Sequence, residues 1–428
     1  MIKIIKDIPQ QREEIFSQTM KTPDVSGVVA DIVNRVRTQG DAALLALTEK
    51  FDGAKLTSLR VSEEEIENGI GQVSVEFLKI LQTAAENIRE FHLRQKREGF
   101  EIRRENGVIV GQKVLPIERA GIYVPGGTAA YPSTVLMDAI PAVVAGCKRV
   151  VMTTPPNSDG TISPVILAAA KVAGVSEIYK VGGAQAIAAL AYGTESVPKV
   201  DKIVGPGNAF VAEAKRQVFG KVSIDMIAGP SEILIIADGT NRAKDVAADL
   251  LSQAEHDKMA SAVLITDSEA FALSVAEELE RQIPLLKRAD IARASIENNG
   301  KIIITSTIEE AVQIANGIAP EHLEICVDDP FAYLDKVCNA GSVFLGKYCP
   351  EAIGDYYAGT NHTLPTGGTA RFSSALSVDD FIKKTQYIYY EKNALAEVAK
   401  EVEYFATQEG LTAHAKSAVI RFEEESDE

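Results

Sequence analysis

Four of the five histidines in this 428-residue chain stand in short polar segments of its second half. The segments are LSQAEHD, APEHLE, GDYYAGTNH and QEGLTAH, and they carry His256, His322, His362 and His414. Each segment also holds a carboxylate. Imidazoles and carboxylates bind metal ions, and an adjacent acid and imidazole can move protons near neutral pH. This concentration of histidines predicts a metal-assisted enzyme.

Two of these segments offer closely spaced pairs. Gln253 and His256 lie three residues apart at the end of a predicted helix, at or beyond the margin of its apolar face. Residues with this spacing are separated by about 60° around a helix, so both can point at one metal ion. Glu321 and His322 precede a predicted strand and could transfer protons. Taken alone, the first pair could be surface polar residues and the second could be incidental.

The other two segments are less specific. Asp355 and His362 belong to a polar stretch, residues 350–368, that has four glycines and two prolines. Polar loops of this kind more often serve a site than a core. Glu409 and His414 come later, in a helical segment, where His414 is flanked by alanines and could be a helix-surface residue.

The elements that must position these residues alternate along the chain. Short apolar runs such as RVVMTT, EILIIA and KIIIT are each followed by a helical pattern. Strand, turn and helix in repetition predict a parallel sheet covered by helices. The fold class predicted is therefore α/β, with two Rossmann-like doubly wound parallel-sheet domains and small N-terminal and C-terminal helical modules.

The predicted domain organisation has four parts. Residues 1–22 form an N-terminal helical module, and residues 23–123 with 233–378 form a Rossmann-like metal and catalytic domain. Residues 124–232 form a Rossmann-like NAD-binding domain. Residues 379–428, rich in Tyr and Lys at their start, form a helical C-terminal module that we expect to contain no strand.

Three strand-to-helix turns are rich in glycine: VPGGTAAYPS, VGGAQA and VGPGNAF. Glycines there let backbone N–H groups approach a phosphate at a helix N-terminus, although each turn alone could simply be tight. Turns on strands of one parallel sheet share its carboxyl edge, where ligands bind. A loosely held nucleotide is therefore plausible, in contact with Tyr123, Gln185 and Asn208. No turn has the GxGxxG pattern of a standard dinucleotide fold.

The composition excludes some classes of protein. The 44 basic and 60 acidic residues give a net charge of −16, which argues against nucleic-acid binding and serves solubility or favours a cationic substrate. The four cysteines form neither a disulfide framework nor a CxxC motif, which fits a reducing cytoplasm. We expect neither export nor a membrane span, because the start has no signal pattern and no apolar run approaches about 18 residues.

With these residues identified, the chain strongly resembles the histidinol dehydrogenase family from roughly Glu118 to Arg421. The similarity rests on strings in fixed order, among them VGGAQAIAALAYGT, GPGNAFVAEAKRQV, DMIAGPSEILIIAD and GDYYAGTNHTLPT. The resemblance implies oxidation of L-histidinol to L-histidine in two NAD-dependent steps, with a bound zinc. It also implies a homodimer in which the C-terminal module of one chain completes the site of the other.

The resemblance also implies a role for each matching residue. Glu321 and His322 would handle protons, and Tyr123, Gln185 and Asn208 would contact NAD. The implied zinc ligands are Gln253, His256, Asp355 and His414. The implied substrate-binding residues are Ser231, Gln253, His256, His322, Asp355, His362, Glu409 and His414.

The cysteines bear on the second oxidation. Cys326 is predicted within a buried strand and Cys349 in a loop, so neither resembles a thiohemiacetal-forming nucleophile. We therefore expect the aldehyde to be hydrated directly. Two other classes remain open from the residues. A zinc hydrolase would use the same ligands but would not need the glycine turns, and a non-catalytic nucleotide-binding protein would not need the polar segments.

Overall fold

The computed structural model describes residues 1–7, 11–16, 24–126 and 130–423. The strands are β1 (Lys3–Lys6), β2 (Phe100–Arg103), β3 (Ile109–Pro116), β4 (Arg119–Tyr123), β5 (Arg149–Thr154), β6 (Glu177–Lys180), β7 (Lys202–Val204), β8 (Ser223–Ile224), β9 (Glu232–Ala237), β10 (Ser261–Thr266), β11 (Lys301–Ile304), β12 (His322–Cys326), β13 (Ser342–Leu345) and β14 (Ile382–Tyr389).

The helices cover the sheets and connect their strands. They are α1 (Arg12–Phe16), α2 (Ser26–Asp52), α3 (Glu63–Ile70), α4 (Val75–Leu93), α5 (Pro132–Ala145), α6 (Pro164–Ala173), α7 (Gly183–Tyr192), α8 (Ala209–Val218), α9 (Ala243–Ala254), α10 (Glu269–Gln282), α11 (Ala289–Asn299), α12 (Ile308–Ile318), α13 (Phe331–Leu334), α14 (Glu351–Tyr356), α15 (Lys392–Gln408) and α16 (Thr412–Val419). Among the described residues, no helix is long and apolar enough to cross a membrane.

The larger sheet has six parallel strands in the order β1-β11-β10-β9-β12-β13. All residues of β9 are buried, as expected for a parallel strand covered on both faces. Ile233 and Ile235 belong to the core that includes α9, α10 and α11. Leu234 and Ile236 belong to the core that includes α12. Alternate side chains of one apolar run therefore fill both layers.

A second parallel sheet has five strands in the order β6-β5-β4-β7-β8. Its core on one side is built from α2, α7 and α8, whose buried residues form one cluster. Helix α7 is rich in alanine, so α2 can pack closely against it. The central strand β4 leads into the first glycine-rich turn, of which residues 127–129 lie outside the described part of the chain.

The predicted fold class, an α/β protein with parallel sheets, is confirmed. The terminal segments differ in detail from the helices expected there. Lys3–Lys6 form a strand at the edge of the larger sheet, where the apolar pair Ile4–Ile5 packs on its cores. The expectation of a strandless C-terminal module is wrong, because β14 pairs with β3. The predicted boundary after Tyr123 falls at the end of β4, and the four-part domain division stays a prediction.

The chain divides into two compact units. The first comprises Met1–Lys96 and Ile117–Phe381 and contains both parallel sheets. The second comprises Arg97–Pro116 and Ile382–Glu428. Within the second unit, β14, β3 and β2 form a three-stranded antiparallel sheet, and α15 packs against α16.

Candidate active site

Glu321 and His322 lie at the amino edge of the six-stranded sheet, where β12 begins beside β9. Both side chains are buried, with 7% and 4% of their surface exposed. The carboxylate of Glu321 accepts a hydrogen bond from the backbone N–H of Glu232 at 2.8 Å. Two residues earlier, Ala319 ends α12. Its φ of 57° makes it the only non-glycine residue in the described ranges with a positive φ. This turn directs the chain into β12.

The imidazole of His322 is fixed through one nitrogen and free at the other. Its Nδ1 donates to the carbonyl oxygen of Glu232 at 2.9 Å, and Gln253 Nε2 donates to the same carbonyl at 3.2 Å. The Nε2 atom of His322 is buried without a hydrogen-bond partner in the described structure. It lies 3.7 Å from an oxygen of Glu351 and 3.7 Å from Oδ1 of Asp355. A buried orphan nitrogen facing two carboxylates is a suitable place for a cation.

His322, Glu351 and Asp355 form a group that could hold a metal ion, because their candidate ligand atoms lie within 4.8 Å of one another. Of these three residues, only Asp355 was predicted as a metal ligand. Glu351 was missed altogether. It is 2% exposed, and its second oxygen accepts from the hydroxyl of Ser252 at 2.9 Å. Its spacing of four from Asp355, on one face of α14, is the signal that could have revealed it.

The electrostatics of this group reflect crowded carboxylates around one imidazole. Burial alone would lower the pKa of His322, but the neighbouring carboxylates, Glu321 foremost, raise it to about 10. Burial raises the pKa of Glu321 to about 8 and that of Glu351 to about 7. Burial also opposes ionisation of Asp355, yet its interaction with the neighbouring His322 imidazole and the charge of His362 lower its pKa. The site therefore holds protons that can be transferred near neutral pH.

Two further predicted residues, His362 and His256, interact with Asp355, and a third, Gln253, lies beside His322. His362 is partly buried, and its Nδ1 lies 3.8 Å from Oδ1 of Asp355. His256 follows α9 and is exposed. Desolvation by the protein groups around it lowers its pKa, and the negative charge of Asp355 opposes that change. Gln253 is 1% exposed, so it is not a surface residue. Because its Nε2 is engaged with the Glu232 carbonyl, its amide oxygen remains for another ligand.

Two of the glycine-rich turns, and residues 124–126 at the described start of the third, lie at the carboxyl edge of the five-stranded sheet, at Tyr123. The hydroxyl of Tyr123 accepts from the N–H of Gly183, the first residue of α7, which also carries Gln185. A Cβ atom on Gly205 would lie 2.1 Å from the carbonyl oxygen of Tyr123, so only glycine permits this approach. Asn208 caps α8 in the same turn and is exposed.

The remaining predicted residues lie elsewhere. Ser231 is partly buried and directly precedes β9, next to Glu232. Glu409 and His414 are exposed and belong to the second unit, whereas the other predicted site residues belong to the first. A cavity of about 400 Å³ also opens at the amino edge of the larger sheet; it is lined by Glu232, Ser261 and Lys301 but not by His322 or Asp355.

Two parallel sheets, one with glycine turns at its carboxyl edge and one with a buried imidazole–carboxylate group, define an α/β enzyme. The family model for histidinol dehydrogenase matches residues 16–422. A histidinol dehydrogenase of Geobacillus kaustophilus is 56% identical over 402 residues, covering 94% of this chain and 95% of the relative. That of Clostridium acetobutylicum is 52% identical over 427 residues and covers 99% of both chains.

A solved structure agrees with these sequences. The crystal structure of histidinol dehydrogenase from Elizabethkingia anophelis has a TM-score of 0.93 and 41% identity, with 98% of both chains covered. The chain belongs to the histidinol dehydrogenase family and is an oxidoreductase. The resemblance stated from the sequence is thereby confirmed.

Proposed function

We propose that this chain oxidises L-histidinol to L-histidine by way of the aldehyde, with two molecules of NAD, as the last steps of histidine biosynthesis. The observation that carries the proposal is the buried Glu321–His322 pair, whose free imidazole nitrogen faces Asp355 in a chain of this family. The alcohol loses a hydride to the first NAD and a proton to the protein. Water then adds to the aldehyde, and the resulting diol gives a hydride to the second NAD.

His322 is suited to accept the hydroxyl proton. Its Nδ1 is engaged with the Glu232 carbonyl, which fixes the ring and leaves Nε2 as the atom that exchanges the proton. The carboxylates around it raise the pKa of His322, and the positive charge of a zinc ion bound at Asp355 would lower that pKa again, so that Nε2 could act as the base. Glu321 is the candidate to activate the water that hydrates the aldehyde. Its raised pKa, about 8, makes its carboxylate a stronger base than an exposed glutamate would be. His322 then accepts a proton again in the second oxidation.

A zinc ion fits the chemistry of the donors, because the buried carboxylates of Asp355 and Glu351 lie together beside His322, and a cation there would offset their negative charge. We propose that Gln253, His256 and Asp355 hold it, together with His414 of the partner subunit. Bound zinc would supply open coordination positions for the imidazole and the amine of histidinol. His362 and Ser231, with Glu409 of the partner subunit, would complete the substrate pocket.

NAD is proposed to bind at the carboxyl edge of the five-stranded sheet, against Tyr123, Gln185 and Asn208. The convergence of the glycine turns on Tyr123 supports this assignment. Without the GxGxxG fingerprint, the turns offer fewer backbone contacts to a pyrophosphate, so we expect weak binding of NAD. The four cysteines are all free, which supports a location in the reducing cytoplasm.

A homodimer with shared sites is proposed because Glu409 and His414 lie in the second unit, apart in the chain from the other site residues. Large apolar side chains on this unit are exposed, among them Ile388 at 73% and Tyr404 and Phe405 at 69% each. Apolar surface of this kind is typical of a subunit interface.

The yield of NADH per histidinol tests the activity. With limiting L-histidinol and excess NAD, we expect about two NADH per substrate, because one proton-handling pair serves both oxidations. A yield of one, with free aldehyde in solution, would refute a single site for both steps. No NADH at all would refute the proposed function.

A further inference from the structure

The segment that carries His362 is attached to α5 on both sides of the histidine. Asn361 Nδ2 donates to the backbone carbonyl of Met137 at 2.6 Å. Thr363 Oγ1 donates to Oδ1 of Asp138 at 2.8 Å. Both side chains are buried, with 4% and 6% exposed. His362, between them, instead contacts Asp355. Two bonds to one helix thus fix the backbone from which the imidazole projects.

These two bonds are joined within the segment itself. Asn361 Oδ1 accepts a hydrogen bond from the N–H of Thr363 at 2.9 Å, which closes a short turn around His362. The carbonyl of Thr363 accepts from the N–H of Leu376 at 2.9 Å. The backbone at His362 therefore has little freedom to rotate.

Asp138 touches a second part of the site. Its side chain is fully buried, and a Cβ atom on Gly205 would lie 3.0 Å from its Oδ2. Gly205 has a φ of +118° and belongs to the glycine turn that ends in Asn208. One carboxyl group thus lies between the turn proposed for NAD and Thr363.

The turn on the far side of Asp138 is itself rigid. Lys215 Nζ donates to the carbonyl of Gly205 at 2.8 Å, and the N–H of Gly205 donates to Oδ2 of Asp225 at 2.8 Å. Lys215 and Asp225 form a buried ion pair. Burial, with the charge of Asp225, raises the pKa of Asp138 to about 8 against the hydrogen bond from Thr363 and the charge of Lys215. Near pH 7 Asp138 is mainly neutral, so it can stay buried without a counterion of its own.

We propose that Asp138, Asn361 and Thr363, here named the Asp138 clamp, are positioning residues. They hold the imidazole of His362 at a fixed position relative to the glycine-rich turn VGPGNAF, which is proposed to contact NAD. The clamp rests on the proposed function, since His362 contacts substrate only if histidinol is the substrate. None of its three members touches the Glu321–His322 pair in the described structure. The clamp acts on where histidinol sits and not on the proton transfers themselves.

Thr363→Val tests the clamp, because it keeps the side-chain shape and removes the hydroxyl donor. We expect the KM for histidinol to rise about tenfold while kcat changes less than about twofold, as for a small displacement of a binding group. Thr363→Ser restores the hydroxyl and should return KM to within about twofold of the wild-type value. Zinc content and the Kd for NAD should be unchanged.

A double-mutant cycle separates positioning from general stability. In a His362→Asn background the clamp has no imidazole to hold, so adding Thr363→Val should change KM by less than about twofold. Thr48→Val is the matched control, because Thr48 is fully buried in α2 and its hydroxyl has no partner in the described structure. It should leave KM and kcat at wild-type values.

Several outcomes would overturn the clamp. An unchanged KM in Thr363→Val, with wild-type enzyme active on histidinol, would refute it without touching the proposed function. An equal rise of KM in both backgrounds would show that Thr363 does not act through His362. If Thr363→Val does not fold, Thr363→Ala removes the same hydroxyl with a smaller side chain and is held to the same criteria.

Discussion

The free nitrogen of His322, Nε2, lies 3.7 Å from Oδ1 of Asp355, and no hydrogen bond of the described structure satisfies it. One residue comes from the start of a sheet strand and the other from the last turn of the short helix α14. Their approach connects the candidate proton-handling pair with the candidate metal ligands.

His256→Ala should lose metal and activity together. Removing a ligand should lower activity more than about 100-fold, since even residues behind a ligand often cost tenfold or more. Binding of NAD should persist, because the glycine turns belong to the other parallel sheet. Metal analysis, NADH production and titration with NAD measure the three quantities. Loss of NAD binding in a folded variant would show that the two sites are not separate.

Glu351→Gln should shift the pH dependence of the reaction. The Glu351 carboxylate helps raise the pKa of His322, so its removal should lower that pKa. The acidic limb of the kcat/KM profile should therefore move to lower pH, and the maximal rate should fall about tenfold or more. Glu67→Gln, on the exposed surface of α3, is the control and should keep the wild-type profile. A wild-type profile for Glu351→Gln would remove this residue from the site.

A shared active site can be tested by mixing two inactive variants. His256→Ala and His414→Ala chains, unfolded and refolded together, should regain activity. In a mixed dimer one site carries both lesions and the other carries neither, so about half of the sites in mixed dimers should work. A mixture that stays inactive, although mixed dimers form, would show that each chain uses its own His414.

Asp138 should make the free energy of unfolding depend on pH. Its pKa is about 8 in the folded chain and 3.8 as the unperturbed value, so the folded state binds more protons between these limits. Stability therefore falls as pH rises through this window, by up to about 1.4 kcal/mol per pH unit. Asp138→Asn cannot titrate and should lack this contribution. Urea unfolding of both proteins at pH 5.5 and about pH 7.5, at equal concentration, measures the difference; parallel changes would refute the assignment.

The sequence predicted the elements whose pattern is local and could not predict those that depend on distant partners. Strands such as β9 and β11 are continuous apolar runs, which only a covered parallel sheet explains. By contrast, β14 reads IKKTQYIY and has one face of polar side chains. It becomes a strand by pairing with β3, which comes much earlier in the chain. No local pattern records that pairing.

The residues of the site also divide into those with a local sequence signal and those that depend on distant partners. The short polar segments identified His322, His362 and Asp355, because several chemically capable residues stood together in each. Glu351 stands after a proline at the start of a short helix, and its importance comes from the approach of His322 on another element. Likewise, nothing near Asp138 in the sequence indicates that Thr363 will bind it. Tertiary contacts of this kind require the fold.

Ala319 bears on how the protein could be made more heat-tolerant. A left-handed backbone is costly for alanine, so Ala319→Gly would relieve strain of about 1 kcal/mol. Glycine would also give the unfolded chain more freedom and would loosen the link between α12 and β12, two residues before Glu321. A substitution that looks favourable on thermal grounds would thus act on the segment that aims the proton-handling pair. Attempts to raise the melting temperature are better directed at the surface of α10 or α15 than at this turn.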